Sequence, residues 1–264
     1  MDEFLDFSKK IAKEAGNIVM KYYNSHEDLN IDYKKDNSIV TKADIESEKF
    51  IRNSILKKYP DHTIIAEEEG LTEGNEEFIW CVDPLDGTTN FSIHYPFFCI
   101  SIALYKKKEP IVGVIYFPSQ DELYYCKKGS GSFLNRKKIH VSSQKSLKNA
   151  IIAFSSNKTI KTAKNISNLF LEFKMKQSQK LRHFGSAALE LSYVASGRIS
   201  GFLSLGTKIW DISAGMLLIR EAKGKVTKLN GNDYTFEDRD EILIGSNRLI
   251  HEDILKIVND VIKN

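Results

Sequence analysis

Two aspartates stand three residues apart in the segment Trp80-Cys81-Val82-Asp83-Pro84-Leu85-Asp86-Gly87-Thr88-Thr89-Asn90-Phe91. An apolar run leads into Asp83, and the proline after it predicts that the strand stops there. Gly-Thr-Thr then opens a helix, and the N–H groups at a helix start make an anion site. Upstream, Thr63-Ile64-Ile65-Ala66 reads as a strand ending in Glu67-Glu68-Glu69. Downstream, Ile209-Trp210-Asp211-Ile212-Ser213-Ala214-Gly215 sets another carboxylate just before a helix. If the two strand ends are neighbours, several carboxylates converge. Two such charges about 4 Å apart repel by roughly 4 kcal/mol at an effective dielectric near 20. A divalent cation is the simplest compensation. The candidate ligands are all hard oxygens, with no convergent His or Cys set, which points to Mg2+, with Mn2+ as the alternative, rather than zinc. Such ions hold a phosphate oxygen and activate water at neutral pH, so no nucleophilic side chain is needed. The glycine and threonine N–H groups near 87–89 are then placed to cradle a phosphate.

Each residue also has a plainer role. Glu67 to Glu69 would make an ordinary charged turn, and Asp44 and Asp211 would stabilise helix starts. Asp-Pro-Leu-Asp-Gly-Thr-Thr at a strand end is harder to explain as a turn alone. His62, His94, His140, His183 and His251 are isolated and read as surface or core residues.

The elements that must carry these residues follow from periodicity. Phe4, Phe7, Ile11, Ala15, Ile18 and Tyr22 recur at three- and four-residue steps, one apolar face of a first helix. A second helix fits 41–59, with Ile45, Ile51, Ile55 and Tyr59 on its apolar side. Thr41 is its expected N-cap, with Asp44 three residues on. From residue 63, TIIA, FIWCV, FCISIALY, IVGVIYFP and ELYYC read as strands between turn-forming residues. Later, helices are expected near 160–173, 186–196, 212–222 and 249–263. Strands are expected near 181–184, 199–203, 225–228 and 241–245. The pattern is α/β or α+β. A soft boundary in the polar stretch VSSQKSLKN divides a 1–145 α+β subdomain, with most of the candidate ligands, from a 146–264 α/β subdomain that completes the site.

Composition sets bounds. The chain has 264 residues, 42% of them hydrophobic, so its core needs no disulfide support. Three scattered cysteines, Cys81, Cys99 and Cys126, predict buried reduced thiols and a cytoplasmic protein. A net charge of +3, with lysine clusters at turns and no interleaved aromatics, argues against a nucleic-acid partner. The opening MDEFLDFSKK lacks the apolar stretch of an export signal. No apolar run approaches the roughly 18 residues of a membrane span.

In order and spacing the chain resembles the inositol monophosphatase family, within the wider group that includes fructose-1,6-bisphosphatase. Asp83-Pro-Leu-Asp-Gly-Thr-Thr matches its first signature. Trp210-Asp-Ile-Ser-Ala-Gly, running into Arg220-Glu-Ala-Lys-Gly, matches its second. Val40-Thr41-Lys42-Ala43-Asp44, Ala66-Glu67-Glu68 and Gly185-Ser186-Ala187-Ala188 support them. The resemblance implies a layered αβαβα sandwich of the sugar-phosphatase type, usually a homodimer, with two to three Mg2+ ions per site. It implies that Glu67, Asp83 and the Leu85 carbonyl bind one metal, that Asp83, Asp86 and Asp211 bind a second, and that a weaker third touches Glu67. Thr88, paired with Asp44, would join Glu67 in orienting the attacking water. The Gly87 and Thr88 backbone would hold the phosphate, and Gly185, Ser186 and Ala187 would contact the alcohol side.

The activity implied is hydrolysis of inositol 1-phosphate and related sugar or polyol phosphates. Alternatives are a fructose-1,6-bisphosphatase-type enzyme, or a regulatory relative linked to RNA-polymerase complexes with residual phosphatase activity. The family's usual His-Gly reads Ile93-His94 here, and its Glu-Ala-Gly-Gly reads Glu221-Ala222-Lys223-Gly224. Many inositol-selective relatives carry a glutamate seven residues before the Trp-Asp aspartate. Here that position is Ser204, and no Asp or Glu occurs from Leu191 to Trp210. The expectation is therefore a broad sugar-phosphate specificity. A haloacid-dehalogenase-type phosphatase also carries Asp-Gly-Thr, but the position of its nucleophile is occupied here by Pro84, which cannot attack phosphorus.

Overall fold

The computed structural model describes every residue except 1, 26–30, 35–37, 157–159, 176–179, 207, 239–240 and 263–264. The first half runs α1 (Asp2–Asn24), the short hairpin β1 (Asp32–Tyr33) and β2 (Ile39–Val40), then α2 (Lys42–Lys58). Next come β3 (His62–Ala66), β4 (Leu71–Thr72), β5 (Asn75–Asp86) and α3 (Thr88–Ser92). The antiparallel run β6 (Cys99–Lys106), β7 (Glu109–Phe117), β8 (Glu122–Lys127), β9 (Gly131–Leu134) and β10 (Lys137–Ile139) follows. The second half runs β11 (Ile151–Ser156), α4 (Ile160–Met175), β12 (Lys180–Arg182), α5 (Ala187–Ala195) and β13 (Gly201–Leu205). It ends in α6 (Ile209–Glu221), β14 (Lys225–Thr227), β15 (Ile242–Ser246) and α7 (His251–Ile262).

Eight strands form one sheet in the order β10-β9-β8-β7-β6-β5-β3-β4, and five form another in the order β12-β11-β13-β15-β14. Helices α1 and α2 cover one face of the larger sheet, α5 and α6 lie between the sheets, and α4 and α7 cover the far face of the smaller. The result is the αβαβα layering that the resemblance implied. Three apolar cores follow the layers. One, with Ile11, Ile51, Trp80 and Val114, lies under α1 and α2. A second, with Tyr105, Leu189, Leu191 and Ile212, fills the space between the sheets. The third, with Phe154, Phe173, Leu203 and Ile254, seats α4 and α7.

All the expected strands and helices are found, with shifted ends; residue 263 of the last expected helix lies outside the described residues. Three expectations are corrected. Strand β5 does not stop at Asp83: its ladder breaks at the proline, which has no N–H, and resumes at Asp86. The last of the long helices before β14 begins at Ile209, so Asp211 lies inside its first turn rather than before it. On α2, Ile45 is 50% exposed, whereas Asp44, Ser47, Glu48 and Arg52 are buried beside Ile51 and Ile55. The inward side of α2 is thus half polar, so apolar periodicity located the helix but misjudged its face.

Candidate active site

Strands β3 and β5 are parallel neighbours, with Ala66 opposite Val82. Glu67 and Asp83, each the next residue, therefore emerge side by side at the carboxyl ends of two strands. Against β6 the register of β5 shifts, with Asp83 opposite Ser101 and Asp86 opposite Cys99. Three steps on β5 match two on β6, which is a bulge of one extra residue. On a regular strand residues three apart face opposite ways. The bulge brings Asp86 back to the side of Asp83. Pro84, whose carbonyl the bulge takes out of the ladder, accepts a hydrogen bond from Ser47 Oγ at 2.9 Å.

Asp211 arrives from the layer between the sheets. Its carboxylate accepts the Lys208 N–H at 2.9 Å, so it stabilises the start of α6 as well as facing the site. Burial pushes the Asp83 carboxyl well above the usual carboxylate range, and the charges of Glu67, Asp86 and Asp211 push it further. Asp211 is raised in the same way, by burial and then by Asp86 and Glu67. Asp86 is raised to about 6 by burial, although Ser186 and Ala188 hydrogen bonds oppose the rise. These mutual effects agree with the strand register that sets Glu67, Asp83 and Asp86 at neighbouring strand ends.

Thr88 follows Gly87, whose φ of 99° lies in the left-handed region. A Cβ on Gly87 would meet the Phe97 carbonyl oxygen at 2.9 Å, so the tight turn into α3 requires glycine. The Thr88 hydroxyl lies 2.9 Å from Asp44 Oδ1 and 3.0 Å from the Leu85 carbonyl oxygen. Asp44 is fully buried and accepts both the Thr41 N–H at 2.8 Å and the Thr41 hydroxyl at 2.6 Å. It therefore closes the capping box of α2 and holds Thr88 at once. Burial raises it to about 6.

Gly185, Ser186 and Ala187 were expected on the alcohol side of a substrate. Ser186 Oγ and the Ala188 N–H both donate to Asp86 Oδ2 at 2.7 Å. Ser186 and Ala187 are buried and Gly185 is exposed. Gly185, at φ 82°, lies against Asn90. Asn90 Nδ2 donates to the carbonyls of Phe97 and Phe184 at 2.8 and 2.7 Å, tying the two loops together. Ser204 is fully buried near the end of β13, opposite Ser155 and Leu243.

Several contributors escaped the sequence reading. Lys34 Nζ donates to Glu67 Oε1 at 2.8 Å and to Glu68 Oε1 at 2.7 Å. Burial works against its charge, but the two carboxylates hold it above the usual lysine range. Nothing in Tyr33-Lys34-Lys35 marked it. Cys99 Sγ lies 3.9 Å from Asp86 Oδ2, and Glu190 accepts the Phe184 N–H at 2.7 Å. Glu48 and Arg52 had a readable signal: they stand one and two helical turns beyond Asp44, on the same face.

The donors suit a hard divalent ion, being oxygen only, partly dehydrated and mutually repelling. Among the described residues no three acidic, His or Cys side chains are already arranged as an ion cage. Their hydrogen bonds show why: Glu67 is drawn to Lys34, and Asp86 to Ser186 and Ala188.

A five-layered sandwich with carboxylates at the ends of adjacent parallel strands defines a class of phosphatases that work with divalent metals, typically Mg2+. The chain belongs to the inositol monophosphatase family, whose model matches residues 1–263. It is 36% identical over 262 residues to "Nus factor SuhB" of Pasteurella multocida, covering 97% of this chain and 96% of that one. It is 35% identical over 260 residues to the "Fructose-1,6-bisphosphatase/inositol-1-monophosphatase" of Thermotoga maritima, covering 98% and 97%. Among solved structures, the extragenic suppressor protein suhB of Bartonella henselae superposes with a TM-score of 0.91 at 33% identity, over 97% of this chain and 98% of that one.

Proposed function

We propose that this chain hydrolyses small phosphomonoesters of polyols and sugars, with Mg2+ held by Glu67, Asp83, Asp86, Asp211 and the Leu85 carbonyl. The observation that carries the reading is the clustering of those carboxylates beside a Thr88 hydroxyl held by buried Asp44. When bound, the divalent ions would neutralise phosphate charge and make water a competent nucleophile at neutral pH. The protein's part is positional. Asp44 accepts the hydrogen bond that the Thr88 hydroxyl donates, so the hydroxyl oxygen's lone pairs are left to accept from the attacking water. Glu67 orients that water from the other strand end. The N–H groups of Gly87 and Thr88 face the phosphate oxygens. Water adds at phosphorus, the ester P–O bond breaks, and the alcohol leaves with a proton. Asp86 joins the two sides, since it faces the other carboxylates while its Oδ2 anchors the loop beside the leaving alcohol.

Specificity is proposed to be broad, spanning inositol 1-phosphate, fructose 1,6-bisphosphate and similar esters. A buried serine at 204 supplies no charged acceptor for ring hydroxyls, and charge-assisted hydrogen bonds are worth roughly 1.5–3 kcal/mol. One relative carries both activities in its name. The test is kcat/KM for inositol 1-phosphate, fructose 1,6-bisphosphate and glycerol 2-phosphate. A preference of more than about a hundredfold for the first would overturn broad specificity, since that gap needs about 2.7 kcal/mol of selective contact.

A second, compatible reading rests on the name "Nus factor" carried by several relatives. It gives the chain a regulatory role in association with RNA polymerase. Copurification with polymerase, undiminished by Asp86→Asn, would support that role as separate from catalysis. A cytoplasmic homodimer is also proposed. All three cysteines are buried thiols, and among the described residues no helix is long and apolar enough to cross a membrane. Sedimentation equilibrium would read the oligomeric state.

A further inference from the structure

We propose that Glu48 is a positioning residue for Glu67, setting the direction in which that carboxylate enters the metal site. The inference rests on the metal-phosphatase reading and concerns a residue that lies outside the site itself. Glu48 is on α2, with 0% of its surface exposed. Both of its oxygens are taken by consecutive backbone amides: Oε2 by the Glu68 N–H and Oε1 by the Glu69 N–H, each at 2.7 Å. The Glu68 N–H belongs to the peptide that begins at the Glu67 carbonyl. Holding it fixes the plane on the C-terminal side of Glu67. The preceding residue, Ala66, is fixed in turn, opposite Val82 in the parallel ladder and with its N–H on the Gly70 carbonyl at 3.1 Å. Glu67 is therefore clamped between two immobilised peptides, and its side chain has one direction of departure.

The turn needs such a clamp. Three successive carboxylates repel, and nothing in Glu67-Glu68-Glu69 favours presenting the first one inward. Glu48 selects one arrangement, and Arg52 supports it from the next turn of the helix. The guanidinium lies 3.6 Å from Glu48 Oε1 and 3.0 Å from Glu69 Oε2, and it donates to the Gly70 carbonyl at 3.2 Å and to Thr72 Oγ1. Glu69 is thereby drawn outward, toward Arg52. The same inward face of α2 carries Asp44 to Thr88 and Ser47 to the Pro84 carbonyl. One helix face thus holds the 67–69 turn, the Pro84 bulge and Thr88, which accounts for its polar residues standing where apolar ones were expected.

Glutamine at 48 keeps one acceptor and puts an NH2 group against the other amide, releasing one peptide. The experiment uses the full chain and Mn2+ as the probe, with free ion read by electron paramagnetic resonance. Four proteins are compared: wild type, Glu48→Gln, Glu67→Gln and the double variant. Glu48→Gln should weaken Mn2+ binding about tenfold, the range for groups that orient metal ligands. It should also speed hydrogen exchange at the amides of 68 and 69. Because Glu48 acts through Glu67, the double variant should bind no more weakly than Glu67→Gln alone.

Mn2+ affinity of Glu48→Gln within about twofold of wild type, or effects of the two substitutions that simply add, would overturn the proposal. A purely structural role for Glu48 would lower the melting temperature and leave Mn2+ affinity alone. If Glu48→Gln does not fold, Glu48→Asp, which keeps the charge but reaches only one amide, is read by the same criteria. A wild type that takes up no Mn2+ would overturn the metal reading and this proposal together. Mn2+ binding that depends on Glu67 but is indifferent to residue 48 would overturn this proposal alone.

Discussion

The site is held from two sides by the same device, with a cation beside one glutamate and, among the described residues, none beside the other. On the side of the larger sheet, α2 buries Glu48 against the amides of Glu68 and Glu69. On the side of the smaller sheet, α5 buries Glu190 against the amide of Phe184, in the loop that leads to Asp86. Arg52 stands beside Glu48 and offsets its charge. Glu190 is fully buried, and among the described residues no cation pairs with it. Burial raises both carboxyls, and backbone hydrogen bonds oppose the rise at each; Arg52 opposes it further at Glu48, whereas Glu190 is held well above the usual range. The catalytic side is thus held through a carboxyl with a cation beside it, and the substrate side through one that has none among the described residues.

The largest expected effect is at Asp86, where the two sides meet. Asp86→Asn removes a ligand charge and disturbs the anchor for Ser186 and Ala188. Phosphomonoesterase activity should fall by more than about a hundredfold, beyond the range for merely orienting groups. Activity within tenfold of wild type, by the same assay, would place Asp86 outside the metal set.

Next come Asp44→Asn and Thr88→Ala on the catalytic side. Each should lower kcat by about a hundredfold with KM little changed, because the hydroxyl acts on the water in the transition state. If Asp44 only caps α2, the result is instead normal turnover with a stability loss of about 0.5–2 kcal/mol. Steady-state kinetics and melting curves on the same samples separate the two accounts.

Glutamine substitution sharpens the contrast between the two glutamates, because an amide imitates a protonated acid but not a carboxylate. Glu48→Gln should destabilise the fold by about 1–3 kcal/mol, through an amide left facing a donor. Glu190→Gln should have the smallest effect in mild acid, within about 0.5 kcal/mol, comparable with an ordinary surface change. The pH dependence gives the sign. A carboxyl whose folded-state pKa is raised stabilises the fold fully below its unfolded pKa and loses that contribution as pH rises toward the folded value. Glu190→Gln removes that loss, so its melting temperature should gain on wild type as pH is raised from 5 to 8. A variant curve parallel to wild type would show that Glu190 is charged throughout.

Much of this was legible in the chain. The strands leading to Glu67 and Asp83, the capping box at Thr41 and the carboxylates themselves follow from local pattern and motif. What was not legible depended on contacts distant in sequence. Pro84 read as a stop because a proline ends a ladder in isolation; only the partner strand β6 shows a bulge that resumes at Asp86. Ile45 read as buried because apolar residues usually are, but the sheet beneath α2 offers loops with unpaired amides and carbonyls, and those select Asp44, Ser47 and Glu48. Lys34 lies in a hairpin with no distinguishing pattern, and its role exists only once Glu67 and Glu68 are folded against it. Ser186 matched a substrate-side motif, yet its hydroxyl is committed to Asp86, a pairing that spans 100 residues.

The most direct test of the central claim is hydrolysis of a simple phosphomonoester by purified protein, first with Mg2+, then in excess EDTA, then with Mg2+ restored. The account predicts turnover that disappears with the chelator, returns with the ion and is absent from Asp86→Asn under all three conditions. Full turnover in excess EDTA would contradict it, because the clustered carboxylates would then have no cation to serve.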